Sequence, residues 1–174
     1  MRVVAGEFKG RRLVAPRGAG TRPTADRVRE ALFSMLGDVS GARVLDLYAG
    51  SGALGIEALS RGAESAVFVE RDQAALAALR RNLDAVGARA EVRRQDALRF
   101  LARPEGTFDL VFCDPPYDGA SRLAGVLSDA LPGMASDKAR IVTESDKRNP
   151  LVLTLPLLVE RAYGDTRIAI HQDK

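Results

Sequence analysis

From residue 43 onward the chain alternates short apolar runs with stretches of helical period, and this alternation restricts the fold to a sheet of parallel strands joined by helices. Val44-Leu45-Asp46-Leu47-Tyr48 reads as a strand, residues 53–60 as a helix, and Ala66-Val67-Phe68-Val69 as the next strand. An Ala/Leu-rich helix follows over about 72–86, a third strand at 90–94 and a short helix at about 96–102. Phe108 to Cys113 is nearly continuously apolar, as expected of a strand covered on both faces. A helix near 120–131 and a strand near 139–144 complete the alternation. Residues 157–163 and 166–171 then flank Gly164-Asp165, which signals a closing antiparallel hairpin. The expected fold class is α/β, a Rossmann-like, doubly wound sheet of seven mostly parallel strands with an antiparallel last strand.

Between the first strand and its helix lies Asp46-Leu47-Tyr48-Ala49-Gly50-Ser51-Gly52-Ala53-Leu54-Gly55, which contains G-x-G-x-x-G. Glycines here permit a tight turn and let a ligand approach the backbone closely. The pattern alone fits a dinucleotide, whose pyrophosphate would sit at the helix N-terminus. Asp46 argues otherwise, because a carboxylate pointing into the loop opposes phosphate and suits a cationic amino-acid moiety. S-adenosylmethionine carries an ammonium and a sulfonium and no phosphate. Glu70 ends the second strand, where an acid can accept hydrogen bonds from ribose hydroxyls of either cofactor. Asp96, after the third strand, suits an adenine amino group or, equally, the N-cap of the helix from Ala97.

Asp114-Pro115-Pro116-Tyr117 follows the fourth strand, at the expected switch point of the sheet. An exocyclic base amine is a poor nucleophile because its lone pair is delocalised into the ring. The Asp114 carboxylate and the Pro115 carbonyl could hold its two hydrogens, favouring a pyramidal nitrogen with its lone pair aimed at a methyl carbon. Pro116 biases Pro115 toward an extended conformation and stiffens that carbonyl. Tyr117 offers a stacking face to a flipped-out base, worth about 1–3 kcal/mol. Transfer would then be an in-line displacement accelerated mainly by positioning.

Residues 1–30 hold eight basic and three acidic side chains, a net +5, which leaves −2 for the rest of a chain whose total is +3. Residues 2–5 and 11–15 read as two short strands around a turn bracketed by Gly6 and Gly10. A loop with Pro16 and Pro23 leads to Thr24, a candidate N-cap for the next helix. We therefore expect a basic N-terminal hairpin extension over 1–23 and a main domain over 24–174. A cationic leader on a slightly acidic body suits a phosphate-rich partner. With one cysteine, no internal disulfide is available, and no Cys/His cluster suggests a metal. No apolar run approaches the ~20 residues of a membrane span, and no signal-peptide pattern opens the chain, so a cytoplasmic protein is expected.

Taken together, the glycine loop and Asp114-Pro115-Pro116-Tyr117 resemble class I amino-methyltransferases. With Arg22-Pro23-Thr24, Asp26-Arg27-Val28-Arg29-Glu30 and the run from Asp46 through Ser60-Arg61, nearly the whole chain resembles the RsmD family of bacterial 16S rRNA guanine-N2 methyltransferases. That resemblance implies S-adenosylmethionine as cofactor and methylation of one guanine of small-subunit rRNA, within the subunit or an assembly intermediate, by a monomeric enzyme. It implies that Thr24 and Arg27 help enclose the methionine end of the cofactor. Asp46, Tyr48, Ala49, Gly50, Ser51, Gly52, Glu70, Arg71, Asp96 and Ala97 would line the cofactor, while Asp114, Pro115, Pro116 and Tyr117 would face the base. Lys9, Arg11, Arg12 and Arg22 are the candidate RNA contacts.

Cys113 adjoins the motif but ends an apolar strand without an activating base, so it reads as structural. His171 lies in the last expected strand with no evident partner. Alternative readings are an adenine-N6 or cytosine-N4 DNA methyltransferase, a protein glutamine methyltransferase, an NAD-dependent oxidoreductase and a non-catalytic RNA-binding factor.

Overall fold

The computed structural model describes residues 1–16, 26–103, 105–116 and 120–172. Its sheet has seven strands: β1 (Arg43–Leu47), β2 (Ser65–Glu70), β3 (Glu91–Arg94), β4 (Phe108–Cys113), β5 (Ala135–Asp146), β6 (Leu157–Tyr163) and β7 (Thr166–Gln172). Their order is β3-β2-β1-β4-β5-β7-β6, and β7 runs opposite to the other six strands, so its pairings with β5 and β6 are antiparallel. The direction of winding reverses between β1 and β4, which pair with Leu47 opposite Cys113.

Helices cover both faces: α1 (Asp26–Leu36), α2 (Ala53–Ser60), α3 (Gln73–Val86), α4 (Ala97–Leu101) and α5 (Ala120–Ala130). On one face, Leu32 and Phe33 of α1, Ile56 of α2 and Leu79 of α3 pack with Val44, Phe68, Phe112 and Ile170. Phe33 meets Phe112 with ring centroids 5.8 Å apart. Full burial of such a side chain is worth about 1.5–3 kcal/mol. On the other face, Phe100 and Leu101 of α4 and Leu127 of α5 cover Leu45, Leu47, Val111 and Ile141. Helix ends follow local chemistry: Asp72 caps α3 by accepting the Ala75 N–H at 2.8 Å, and Gly87 closes it at φ 72°.

Two expectations need correction. Residues 1–16 do not form two strands; a single antiparallel bridge joins Arg2 to Arg12. The reason lies in α2, whose Glu57 carboxylate takes the Val4 and Ala5 N–H groups at 2.8 and 3.0 Å, while Ser60 takes those of Glu7 and Phe8. The segment is thus a strap laid over α2, and its Val3 and Leu13 enter the same core as Phe33. The fifth strand is also longer than its apolar run. It begins at Ala135, shifts register between Phe108 and Leu110, and carries Lys138 at φ 63°.

Beneath the strap, Arg29 and Glu57 are fully buried and lie 3.4 Å apart. Arg29 also pairs with Asp26 and donates to the Arg2 carbonyl, and Arg61 reaches Glu57 at 2.9 Å. No described helix is long and apolar enough to cross a membrane.

Candidate functional site

Beyond Leu47 the chain must turn sharply to start α2, and three residues take left-handed conformations: Tyr48 (φ 59°), Gly50 (φ 55°) and Gly52 (φ 77°). Such a φ is uncommon for a side chain like tyrosine. Gly52 and Gly55 are also required for space. A Cβ on Gly52 would fall 2.2 Å from Leu79 Cδ1, and one on Gly55 would fall 2.4 Å from Phe68 Cε1. These glycines let α2 settle directly on β2 and bring the loop down onto the strand ends.

Carboxylates organise the loop from below. Asp46, buried, accepts the Gly55 N–H at 3.0 Å. Loss of water raises its pKa to about 8, with a smaller contribution from Glu70. Glu70 accepts from Gly50 at 2.8 Å through one oxygen and from Arg71 and Asp72 through the other. Asp96 caps α4 through the Leu98 and Arg99 N–H groups and pairs with exposed Arg71 at 3.1 Å. Its capping role is therefore realised, and one oxygen is turned toward Arg71. Ala49 donates to the Val69 carbonyl, and Ala97 opens α4 as a buried residue. The Ser51 carbonyl receives the side-chain amide of Asn82 from α3 at 2.8 Å.

This donor set bears on the cofactor. A pyrophosphate needs free backbone N–H groups, yet Gly50 and Gly55 already donate to Glu70 and Asp46, and Gly52 donates to the Ala49 carbonyl. What the loop presents is carboxyl oxygens, from Asp46 and Glu70. Such a site fits a cationic, phosphate-free ligand with ribose hydroxyls, and fits a dinucleotide poorly.

Across the switch point, β4 delivers Asp114, Pro115 and Pro116 immediately after Cys113, the residue paired with Leu47. Asp114 is half-buried, with its carboxyl group withdrawn from water; that withdrawal, then Glu144 and Asp46, push its pKa well up. Pro115 is buried and Pro116 exposed. Glu144, 4% exposed, belongs to β5, where its neighbour Thr143 pairs with Cys113. Three carboxyl groups thus line the carboxyl ends of adjacent strands β1, β4 and β5. Burial pushes the Cys113 thiol up, as befits an inert cysteine. His171 is buried, with Nδ1 3.1 Å from the Leu155 carbonyl, and burial lowers its pKa.

The fold gathers Asp46, Glu70, Asp96 and Asp114 at one edge of the sheet. Arg27 is exposed on the first turn of α1, and Lys9, Arg11 and Arg12 are exposed on the strap. Arg22, Thr24 and Tyr117 lie outside the described residues. Sequence reasoning passed over Glu144, Asn82 and Glu57. Glu144 carried a usable signal, a carboxylate ending an apolar strand beside the motif; Asn82 and Glu57 sit in helical patterns where polar residues read as solvent-facing. Among the described residues, no cluster of three or more His, Cys, Asp and Glu could hold a metal ion.

The family model described as "Conserved hypothetical protein 95" matches residues 1–172. The ribosomal RNA small subunit methyltransferase D of Escherichia coli is 40% identical over 180 residues, covering 99% of this chain and 89% of its own. The chain belongs to the RsmD family. Another relative, the YlbH protein of Bacillus subtilis, is 42% identical over 183 residues, with both chains covered completely. A solved structure from Thermus thermophilus shares 32% identity and a TM-score of 0.87, with 99% of each chain covered. The RsmD family fold, a class I methyltransferase sheet, is the one described above.

Proposed function

We propose that this chain methylates ribosomal RNA, using S-adenosylmethionine, at the exocyclic N2 amine of a guanine in 16S rRNA. The observation that carries the reading is the emergence of Asp114 and Pro115 from β4 beside the glycine loop of β1, over a floor of buried carboxylates. Membership of a family that includes a small-subunit rRNA methyltransferase supports the polymer and the subunit.

When bound, S-adenosylmethionine supplies a methyl carbon made electrophilic by its sulfonium. Asp46 would meet the ammonium end, and Glu70 would offer its remaining lone pair to a ribose hydroxyl. Tyr48, Ala49, Gly50, Ser51, Gly52, Arg71, Asp96 and Ala97 would hold the cofactor, with Thr24 and Arg27 as further candidates to enclose it. Three buried carboxyl groups at neighbouring strand ends are costly as anions, so Asp114 would hold its ionised, accepting form only with positive charge beside it, which a sulfonium and an ammonium would supply. Asp114 and the Pro115 carbonyl then hold the two amine hydrogens and orient the nitrogen lone pair. Asp114 takes the proton that the nitrogen releases. Pro116 stiffens the turn, and Tyr117 stacks on the base. The N-terminal extension, residues 1–23, lays Lys9, Arg11, Arg12 and Arg22 against RNA phosphates.

The test is methyl transfer from labelled S-adenosylmethionine to unmethylated small ribosomal subunits, with the product nucleosides identified by mass spectrometry. N2-methylguanosine is expected. Label found only on adenine or cytosine, or only on duplex DNA, contradicts the proposal.

A further inference from the structure

The strap and the glycine loop meet in one buried side chain. Asn82, 1% exposed on α3, accepts the Val14 N–H at 2.8 Å through Oδ1. Its Nδ2 donates to the Val14 carbonyl at 3.0 Å and to the Ser51 carbonyl at 2.8 Å. An amide has its oxygen and nitrogen fixed by such partners: only the oxygen can take the Val14 N–H, so the nitrogen must face Val14 and Ser51. With Val14 displaced, two of the three bonds that hold the amide are lost and the Ser51 bond alone is left to orient it.

Ser51 depends on it. The first intrahelical bond of α2 runs from the Ile56 N–H to the Gly52 carbonyl, so Ser51 lies one residue outside the helix, which offers its carbonyl no donor. Gly55, one turn on, gives its N–H to Asp46. Asn82 therefore sets the Ser51 peptide, between the two left-handed glycines that shape the loop. The strap, for its part, is held by side chains of α2 and α3 more than by any strand ladder, and its exposed face carries Lys9, Arg11 and Arg12.

We propose that Asn82 is a positioning residue that couples the strap to the glycine loop, so that RNA binding on the strap and cofactor binding in the loop strengthen each other. The inference rests on the function proposed above. RNA phosphates that hold the strap in place also hold Asn82, and Asn82 holds the Ser51 peptide where the cofactor meets it. Linkage makes the effect reciprocal: the factor by which cofactor tightens RNA binding equals the factor by which RNA tightens cofactor binding.

The experiment measures the dissociation constant of an unmethylated 16S rRNA transcript, by fluorescence anisotropy, with and without saturating S-adenosylhomocysteine. The wild-type chain should bind the transcript about fivefold or more tightly when the cofactor product is present. Asn82→Leu, which fills the buried site without an amide, and Val14→Pro, which removes the strap's donor and leaves α3 intact, should each bring the ratio within about twofold of unity. A merely structural role for Asn82 would lower stability and both affinities but leave the ratio unchanged. An unchanged ratio in either folded variant overturns the proposal. So does a wild-type chain that binds both partners independently, a result available even if both variants fail to fold. A wild-type chain that binds neither partner removes the functional reading itself.

Discussion

The Gly50 N–H donates to the Glu70 carboxylate at 2.8 Å, tying the glycine loop after β1 to the end of β2. The same carboxylate takes the Arg71 and Asp72 N–H groups through its other oxygen, so one side chain shapes both walls of the crevice. Glu70→Ala should weaken S-adenosylhomocysteine binding by about tenfold or more, since a hydrogen bond to a charged group contributes ~1.5–3 kcal/mol. Glu70→Gln, which keeps one acceptor oxygen, should fall between. Isothermal titration calorimetry reads both, and an affinity unchanged by Glu70→Ala would remove Glu70 from the site.

Glu57 anchors the strap from a fully buried position, compensating Arg29 and accepting the Val4 and Ala5 N–H groups. Glu57→Ala removes the carboxylate nearest buried Arg29 and the acceptor of the Val4 and Ala5 N–H groups at once, and should cost about 3–5 kcal/mol in urea unfolding. Glu57→Gln should cost less, because its oxygen can still accept an N–H. A loss below ~1 kcal/mol in the alanine variant would show that the buried pair does not hold the strap.

Asp46 makes stability depend on pH in a direction fixed by burial. An unfolded aspartate has a pKa of about 3.9, whereas burial raises that of Asp46 to about 8. Between those values the native state holds a proton that the unfolded state has lost, so stability falls as pH rises. The slope is at most ~1.4 kcal/mol per pH unit for one such group. Asp114, raised in the same way, adds to it. His171 is held below its ordinary value and acts oppositely, chiefly below about pH 6.5. Urea unfolding of the cofactor-free chain between pH 6.5 and 8 should therefore show declining stability, with a shallower decline in Asp46→Asn. Equal slopes in the two proteins would contradict the buried, protonated Asp46.

Arg11 and Arg12 are exposed on the strap. If they meet phosphates, replacing both with alanine should weaken RNA binding across sequences and reduce the salt slope by about 0.7 for each single-strand phosphate no longer neutralised. Anisotropy titrations over a range of salt concentrations check this. An unchanged slope would place the RNA-binding surface elsewhere on the molecule.

How much of this was legible in the sequence depended on whether side chains or backbone satisfied the hydrogen bonds. The strands β1, β2 and β4 announced themselves because burial on both faces demands apolar runs, and the glycines before α2 announced the tight turn. The strap shortened the expected strands because the Val4, Ala5, Glu7 and Phe8 N–H groups go to Glu57 and Ser60, which leaves the Val3 and Leu13 N–H groups to bond across to the Arg11 and Met1 carbonyls. The start of β5 was hidden by Ser136, Asp137 and Lys138, polar residues around a register shift. Asp96 was ambiguous from sequence for a physical reason: the residue that ends a strand beside a ligand is also the residue that must cap the next helix, and here it caps α4. Asn82 became visible only when distant segments met, since 68 residues separate it from Val14.

The most direct measurement compares the wild-type chain with Asp114→Ala, recording methyl-transfer turnover on unmethylated small ribosomal subunits together with S-adenosylhomocysteine affinity. A group that orients the amine only during transfer should, when removed, lower kcat by about a hundredfold or more while cofactor affinity stays within about threefold. Turnover that survives the substitution unchanged would mean that the turn after β4 does not hold the acceptor, and the catalytic account would fail.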